Sequence, residues 1–299
     1  MYTKILVATD LSPASHAVIR CVAGLRALGA RECLLLQCVN VPHPLAPGVT
    51  QMQHALQQNL AEEKAVLEAG GFRVRAEVVP GFPQVEINRF AIERRCSLIV
   101  VGSRSQTLVR EMLLGGVTYA VIHHAVKPVL VIPVKAGKDG VTVCAGGEHC
   151  DFTRHVFFAT DFSDNAEQAF RAVRGIVAAG GRTVTLCHVQ DKTRIDPHLM
   201  HRLEEFNAID RQRLVRMKSV LTKAGARQVR IAIPFGHPEQ EIMAEIEKAK
   251  ATLAVLGSQG RGFFGEVCVG SVSHSVARRA QIPTLLIPMA NKRNNGKKG

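Results

Sequence analysis

Two pairs of small residues in the second half of the chain have a spacing that suits phosphate binding. Gly257 and Gly260 follow the apolar run 253–256, and nine residues separate Gly260 from the pair Gly270-Ser271. A strand that passes through a glycine-rich loop into a helix offers unpaired backbone N–H groups and the positive end of the helix dipole to an anion. The segment therefore predicts a site for a phosphate group.

Neighbouring side chains could complete such a site. Ser271 and Ser273 carry hydroxyls that can donate to phosphate oxygens, and Arg261 adds a positive charge to the loop. Glycine at positions 257 and 260 allows positive φ and a close approach of the backbone to a ligand. Each residue also has a simpler interpretation: Ser271 as a helix N-cap, Arg261 as a solvated charge and Gly257 as part of a tight turn.

The elements that must position these residues are strands that alternate with helices. Apolar runs predict the strands, and residues on one 3.6-period face predict the helices between them. The expected strands are 4–10, 32–40, 73–79, 97–102 and 128–134 in the first half, and 155–161, 183–190, 228–234, 253–257 and 283–289 in the second. This alternation predicts parallel sheets with right-handed crossovers and helices on both faces.

The second half repeats the pattern of the first. Thr9-Asp10 and Thr160-Asp161 each end the first strand of a half and lead into a helix. Ser12 is the expected N-cap of the first of these helices, which starts at Pro13. Asp161 could likewise help to cap the helix that follows it.

Ligands of open α/β sheets bind beyond the carboxyl ends of the strands, where the strand order reverses. This rule selects residues of the second half that follow its strands or open its last helix. The candidate binding residues are Thr160, Asp161, Val189, Leu256, Gly257, Gly260, Arg261, Gly270, Ser271, Val272 and Ser273.

Composition limits the classes of function. The chain of 299 residues carries a formal net charge of +13, but its basic residues are dispersed and it has no Trp for base stacking, so specific nucleic-acid binding is not expected. No run is long enough to cross a membrane and the N-terminus lacks a signal-peptide pattern, so we expect a cytoplasmic protein. The eight cysteines show no regular framework, which predicts buried thiols without disulfides.

The paired Thr-Asp strand ends, the pattern at Gly257, Gly260, Gly270 and Ser271, and the closing Ile-Pro-Met strand together resemble the universal stress protein family. The resemblance covers both halves and implies two tandem doubly wound domains, each a five-stranded parallel sheet of order 3-2-1-4-5. It also implies ATP binding, with Asp161 and Val189 near the adenosine and the glycine loop around the ribose and phosphates. Closing strands that pair across a dimer are a further implication, which makes 128–134 and 283–289 the expected contact edges.

The first half departs from this pattern. Gly102 and Gly115 align with Gly257 and Gly270, but Ser105 stands at the position of the second glycine and Gly116 at the position of the serine. Nucleotide binding is therefore expected in the second half, whereas Thr9, Asp10 and Thr118 leave the first half undecided. The expected domains are 1–136 and 154–290, with a glycine-rich linker at 137–153 and a disordered basic tail at 291–299.

Three functions remain open. The first is a nucleotide-dependent stress or regulatory protein that binds ATP with Mg²⁺ and hydrolyses it slowly at most, since no general base or activated nucleophile is evident. The second is a nucleotide-independent assembly protein, a homo-oligomer of tandem chains with an unknown protein partner. The third is an adenylyl-transferring enzyme, which is disfavoured because neither a His-x-Gly-His nor a Ser-Gly-Gly-x-Asp-Ser signature is present. No metal site is expected, since Cys144, His149, Cys150 and His155 lack the usual zinc spacing.

Overall fold

The fold was determined as a computed structural model that describes residues 1–40, 56–103, 114–136, 142–145, 150–195, 198–259 and 270–289. The first half contains strands β1 to β7 and helices α1 to α4. In chain order they are β1 (Lys4–Thr9), α1 (Pro13–Val22), a 3₁₀ turn (Ala23–Leu28), β2 (Glu32–Val39), α2 (Ala61–Ala69), β3 (Arg73–Pro80), α3 (Pro83–Glu93), β4 (Leu98–Gly102), α4 (Gly116–His123), β5 (Val129–Ile132), β6 (Val134–Ala136) and β7 (Thr142–Cys144).

The second half has the same succession of five main strands and intervening helices, with short additional elements. Its elements are β8 (His155–Ala159), α5 (Asp164–Ala178), β9 (Thr183–Cys187), β10 (Gln190–Asp191), α6 (Lys192–Ile195), a 3₁₀ turn (Met200–Arg202), α7 (Leu203–Lys223), β11 (Gln228–Ala232), β12 (Phe235–Gly236), α8 (Pro238–Ala249), β13 (Leu253–Gly257), α9 (Ser271–Arg279) and β14 (Thr284–Ile287). The ten predicted strands all occur, with ends that differ from the prediction by a few residues.

The two halves share one ten-stranded sheet in the order β11-β9-β8-β13-β14-β5-β4-β1-β2-β3. Within each half the pairs are parallel and the order is 3-2-1-4-5, as the family resemblance implied. The halves meet where β14 pairs antiparallel with β5, with Leu285 opposite Leu130. The expected contact between the closing strands is thus made within one chain.

A hydrophobic core covers each face of the sheet and continues from one half into the other. Helices α1, α2, α5 and α7 pack on one face, and α3, α4, α8 and α9 pack on the other. The buried residues of the strands alternate between these two cores, as with Val156 and Phe158 on one side and Phe157 on the other. Burial on both faces explains why the strands are apolar at nearly every position.

The predicted linker contains a short strand, β7, that the sequence did not predict. Strands β6 and β7 form an antiparallel hairpin, with Val134 opposite Cys144. The structure also joins Cys21 to Cys144 in a disulfide, which corrects the expectation that disulfides are absent. Residues 137–141 and 146–149 of the linker, and the predicted tail at 291–299, lie outside the described residues. Among the described helices, none has the length and apolar character needed to span a bilayer.

Candidate functional site

A tight turn after β8 places the Thr160-Asp161 pair at the carboxyl end of the sheet. The hydroxyl of Thr160 accepts the N–H of Phe162 at 3.0 Å, and Oδ1 of Asp161 accepts the N–H of Ser163 at 3.0 Å. Phe162 adopts a left-handed backbone with φ 58°, which costs energy for a residue with a side chain. Ser163 then caps α5 by accepting the N–H of Ala166. Asp161 therefore supports the cap of this helix, and it also lines the cavity described below.

Asn165 ties the glycine loop to the sheet. Its side chain is fully buried; Nδ2 donates to the carbonyl oxygen of Ile287 at 3.0 Å, and Oδ1 accepts the N–H of Gln259 at 2.8 Å. A Cβ atom at Gly257 would lie 2.7 Å from this same Oδ1, and Gly257 does not have a positive φ. The expectation of a positive φ at 257 was thus wrong: the close approach of Asn165 leaves no room for a side chain there.

The start of α9 faces the same end of the sheet. The N–H of Gly270 donates to the carbonyl oxygen of Ser258 at 2.7 Å, and Gly270 is the N-cap residue, so Ser271 is the first residue of the helix instead of its cap. Glycine has no side chain that could cap the N–H groups of residues 271–273. The hydroxyl of Ser273 is buried and donates to the carbonyl oxygen of Gly257 at 2.6 Å, whereas Ser271 is exposed.

The opposite wall is built around Asp210 of α7. His188 lies between two oxygen atoms, with Nδ1 2.7 Å from the carbonyl oxygen of Thr160 and Nε2 3.3 Å from Oδ2 of Asp210. Gln190 donates to Oδ2 of Asp210 at 3.0 Å, and Arg213 donates to Oδ1 at 3.1 Å. A carboxylate can accept several such bonds. This network fixes the long helix α7 over the carboxyl ends of β8 and β9.

These elements enclose a cavity of about 560 Å³, within the range of small-molecule sites. Nine of the eleven predicted site residues line it, and the other two, Gly260 and Arg261, lie outside the described residues. The lining residues that sequence analysis missed come mainly from α6, α7 and α8 and from the end of β9. They include His188, Gln190, Asp191, Arg194, Ile195, Phe206, Ile209, Asp210, Arg213, Pro238, Ile242 and Gln259.

Some of these residues carried a signal in the sequence. His188 precedes Val189 at the end of a predicted strand, so the rule that selected Val189 would also have selected His188. No sequence pattern indicated Phe206, Ile209 and Asp210, because their role depends on how α7 packs over the sheet.

Both halves of the chain match one family. The family model of the universal stress protein family matches residues 1–133 and 153–288. The chain belongs to the universal stress protein family. A family member of Mycobacterium tuberculosis is 27% identical over 306 residues, which cover 94% of this chain and 95% of the relative. One from Methanocaldococcus jannaschii is 32% identical over 157 residues, which cover 45% of this chain and 97% of the relative.

Two solved structures superpose on both halves of the chain. The crystal structure of a universal stress protein from Archaeoglobus fulgidus superposes with a TM-score of 0.75 at 25% identity, covering 96% of this chain and 99% of that one. A putative universal stress protein from Pseudomonas aeruginosa has a TM-score of 0.62 at 16% identity, covering 97% and 94%, which shows the fold alone.

The first half of the chain has several of the same hydrogen bonds as the site in the second half, but its side chains differ. The N–H of Leu11 bonds to the hydroxyl of Thr9, and Leu11 has φ 60°, as at Phe162. Thr118 donates to the carbonyl oxygen of Gly102 at 2.7 Å, as Ser273 does to Gly257. However, Ala14 stands at the position of Asn165, so the first half has no amide side chain at this position.

A buried carboxyl group also distinguishes the first half. Glu63 of α2 is fully buried and its Oε1 accepts the hydroxyl of Thr9 at 3.0 Å, with Nδ1 of His16 3.5 Å from the same oxygen. Burial raises the pKa of Glu63, while the Thr9 hydrogen bond and the nearby His16 lower it less. When ionised, a carboxyl in this position adds negative charge behind Thr9, which disfavours a phosphorylated ligand in this half.

Proposed function

We propose that the second half of this universal stress protein binds one molecule of ATP, and that the first half is a partner domain without a nucleotide of its own. The protein then acts as a nucleotide-dependent regulatory protein. The observation that carries the proposal is the cavity at the carboxyl ends of β8, β9 and β13, which has an apolar wall and the start of α9 on its lining.

The apolar wall suits a purine base. Val189 and Leu256 come from the strand ends, Phe206 and Ile209 from α7, and Ile242 from α8. Adenine is flat and largely apolar on its faces, so aromatic and aliphatic side chains hold it by contact. Val189 is buried and its backbone can pair with the edge of the base.

The start of α9 suits the phosphates. The N–H groups of residues 271–273 and the helix dipole favour an anion, and Gly270 lets the backbone approach it closely. The exposed hydroxyl of Ser271 can donate to a phosphate oxygen, whereas that of Ser273 already donates to Gly257. Gly260 and Arg261 remain predicted contacts of the same group. Mg²⁺ would be held chiefly by phosphate oxygens, because Mg²⁺ usually keeps several waters and binds through substrate phosphates.

Asp161 suits the ribose, since it lines the cavity and its carboxylate can accept ribose hydroxyls. Thr160 lies beside it. Turnover is slow at most in this proposal, because the carboxylate of Asp210 is engaged by Gln190 and Arg213 instead of being placed to activate water.

The test compares two aspartates with the same local structural role. Asp161 and Asp10 each accept a serine N–H with Oδ1, at 3.0 Å and 3.1 Å, and each accepts a serine hydroxyl at 2.6 Å. Native mass spectrometry and calorimetric titration would measure ATP bound by the wild type and by the variants Asp161→Ala and Asp10→Ala. We expect one ATP per chain, an affinity that falls about 10- to 100-fold in Asp161→Ala, and no change in Asp10→Ala.

Other results would overturn the proposal. Two molecules of ATP per wild-type chain, or an equal loss of affinity in both variants, would contradict a single site in the second half. No binding at millimolar ATP by the folded wild type would favour the nucleotide-independent assembly function. Release of pyrophosphate in the presence of a small acceptor would favour adenylyl transfer.

A further inference from the structure

Three cysteines come together where the linker packs on the first half of the chain. Cys21 lies on α1, Cys144 ends β7, and Cys150 precedes the strand β8. Their sulfur atoms all lie within 4.8 Å of one another, and each residue is buried, with an exposed fraction of 4% or less. The nucleotide proposal uses none of them.

The linker packs closely against the turn that follows α1. The carbonyl oxygen of Cys150 would lie only 2.0 Å from a Cβ atom at Gly24, and the ring of Phe152 would lie 3.0 Å from it. Glycine at 24 therefore allows the linker to lie directly against the turn after α1, which brings Cys150 beside Cys21. Sγ of Cys144 is also 3.0 Å from the carbonyl oxygen of Ala17 on the same helix.

A disulfide does not account for all three sulfurs. It uses Cys21 and Cys144, whose Cα atoms are 7.0 Å apart, slightly beyond the separation of about 4.4 to 6.8 Å that most disulfides show. Cys150 does not belong to this disulfide. Thiolates that share one metal ion stand farther apart than bonded sulfurs, because each metal–sulfur bond is about 2.3 Å long. The third buried sulfur beside the pair is the feature that suits a metal ion, which can bind all three.

We propose that Cys21, Cys144 and Cys150, once reduced, bind one thiophilic d¹⁰ metal ion, Zn²⁺ or Cu⁺. Thiolate sulfur is the ligand that such soft ions prefer. The thiols release their protons to solvent on binding, and the positive charge of the ion offsets part of the negative charge of the three buried thiolates, which would otherwise be costly in apolar surroundings. The bound ion joins α1 to the linker and so fixes the start of the second half against the first.

The sequence alone did not show this site. It offered Cys144 and Cys150 with His149 and His155, and their spacing argued against zinc. In the structure His155 lies on β8 with Nε2 2.8 Å from the hydroxyl of Thr185. The third ligand is instead Cys21, which is 123 residues before Cys144.

The experiment uses the full chain, reduced with a phosphine and transferred into anaerobic buffer without metal. Zn²⁺ and Cu⁺ are titrated separately against a chromophoric chelator, and bound metal is counted by mass spectrometry. We expect one ion per chain for at least one of the two metals and a thermal midpoint that rises when that metal is added. Because the two metals are titrated separately, the result also identifies the ion that the site prefers.

Cys150→Ser is the decisive variant, because it removes the third sulfur but leaves the Cys21–Cys144 pair intact. We expect it to weaken metal binding at least 100-fold. Cys187→Ser is the matched control: it removes another fully buried cysteine and should leave metal binding unchanged. Equal binding by wild type and Cys150→Ser, or no binding of either metal by the reduced wild type, would overturn the proposal and leave a disulfide only.

A second measurement covers the case in which Cys150→Ser does not fold. X-ray absorption at the edge of the bound metal in the wild type counts the sulfur atoms around it. Three sulfur neighbours would support the site, and two or fewer would contradict it.

Discussion

Oδ1 of Asn165 lies in the space that a side chain at Gly257 would need, since a Cβ atom there would be 2.7 Å from it. The same oxygen accepts the N–H of Gln259, and Nδ2 of this amide donates to Ile287 at the end of β14. One buried amide thus sets the path of the chain as it leaves β13. The buried amide of Asn165 therefore requires glycine at position 257.

Gly257→Ala should therefore disturb the site. The added methyl group must displace Asn165, which we expect to destabilise the protein by about 1 to 3 kcal/mol and to weaken ATP binding at least tenfold. Urea unfolding and calorimetric titration measure the two effects.

Gly102→Ala is the matched control, since Ala14 stands where Asn165 would be. It should cost less stability and leave ATP affinity unchanged. A loss of ATP affinity as large in Gly102→Ala as in Gly257→Ala would show that the first half also holds the nucleotide.

Asn165→Ala should cost more stability than a similar change at another buried asparagine. It removes two buried hydrogen bonds, the one that Gln259 donates to Oδ1 and the one that Nδ2 donates to Ile287, whose carbonyl oxygen keeps only the N–H of Ser258; each lost bond costs about 1 kcal/mol. Asn88→Ala removes a single hydrogen bond, from Nδ2 to the carbonyl oxygen of Val121 at 3.2 Å. The two variants would be compared by thermal and urea unfolding, and an equal loss of stability would contradict the role assigned to Asn165.

Glu63→Gln should stabilise the protein at neutral pH. Burial raises the pKa of Glu63 in the folded state, and its Oε2 is buried with no hydrogen-bond partner among the described residues. Ionisation therefore opposes folding, so the wild type loses stability as pH rises from the unfolded pKa, about 4.3, to the higher folded pKa. The neutral glutamine removes this loss.

Unfolding free energies measured between pH 4 and pH 8 test this. The gain from Glu63→Gln should be full at pH 8 and should shrink as pH falls to 4. Glu68→Gln, at an exposed site on the same helix whose partner Lys64 is 3.7 Å away, should show no such gain. A gain that is the same at every pH would show that ionisation is not its cause.

The sequence predicted the parts of this structure that depend on short segments. The strand ends at Thr9-Asp10 and Thr160-Asp161, and the cap at Ser12, form through hydrogen bonds to residues two to five positions away. The residue types at a few neighbouring positions suffice to predict such features. The order of strands came from the family resemblance, because local patterns do not fix which strands are neighbours.

What the sequence did not predict depends on contacts between distant segments. Asn165 is 94 residues from Gln259 and 122 from Ile287, so nothing near it in the chain marks its role. The antiparallel pair β6–β7 was missed for another reason: the glycine-rich sequence between and after these strands suggested a linker. Short strands of three residues carry little periodicity.

Phe206→Ala tests the base-binding wall. Phe206 is half-buried on α7 and lines the cavity beside Ile209, where its ring can contact the purine. Truncation removes an aromatic contact worth about 1 kcal/mol beyond its buried area, so we expect ATP affinity to fall about tenfold. Val215→Ala, on the exposed side of the same helix, removes apolar atoms that do not line the cavity and should leave the affinity unchanged.

A comparison of ATP with inorganic triphosphate separates the contribution of the base to affinity from that of the phosphates. Inorganic triphosphate should bind weakly and equally to the wild type and to Phe206→Ala, because it has no base to contact the ring. ATP should distinguish the two proteins in the same calorimetric titration. Equal ATP affinities in wild type and Phe206→Ala, with both proteins folded by circular dichroism, would place the base elsewhere in the cavity and remove α7 from the nucleotide site.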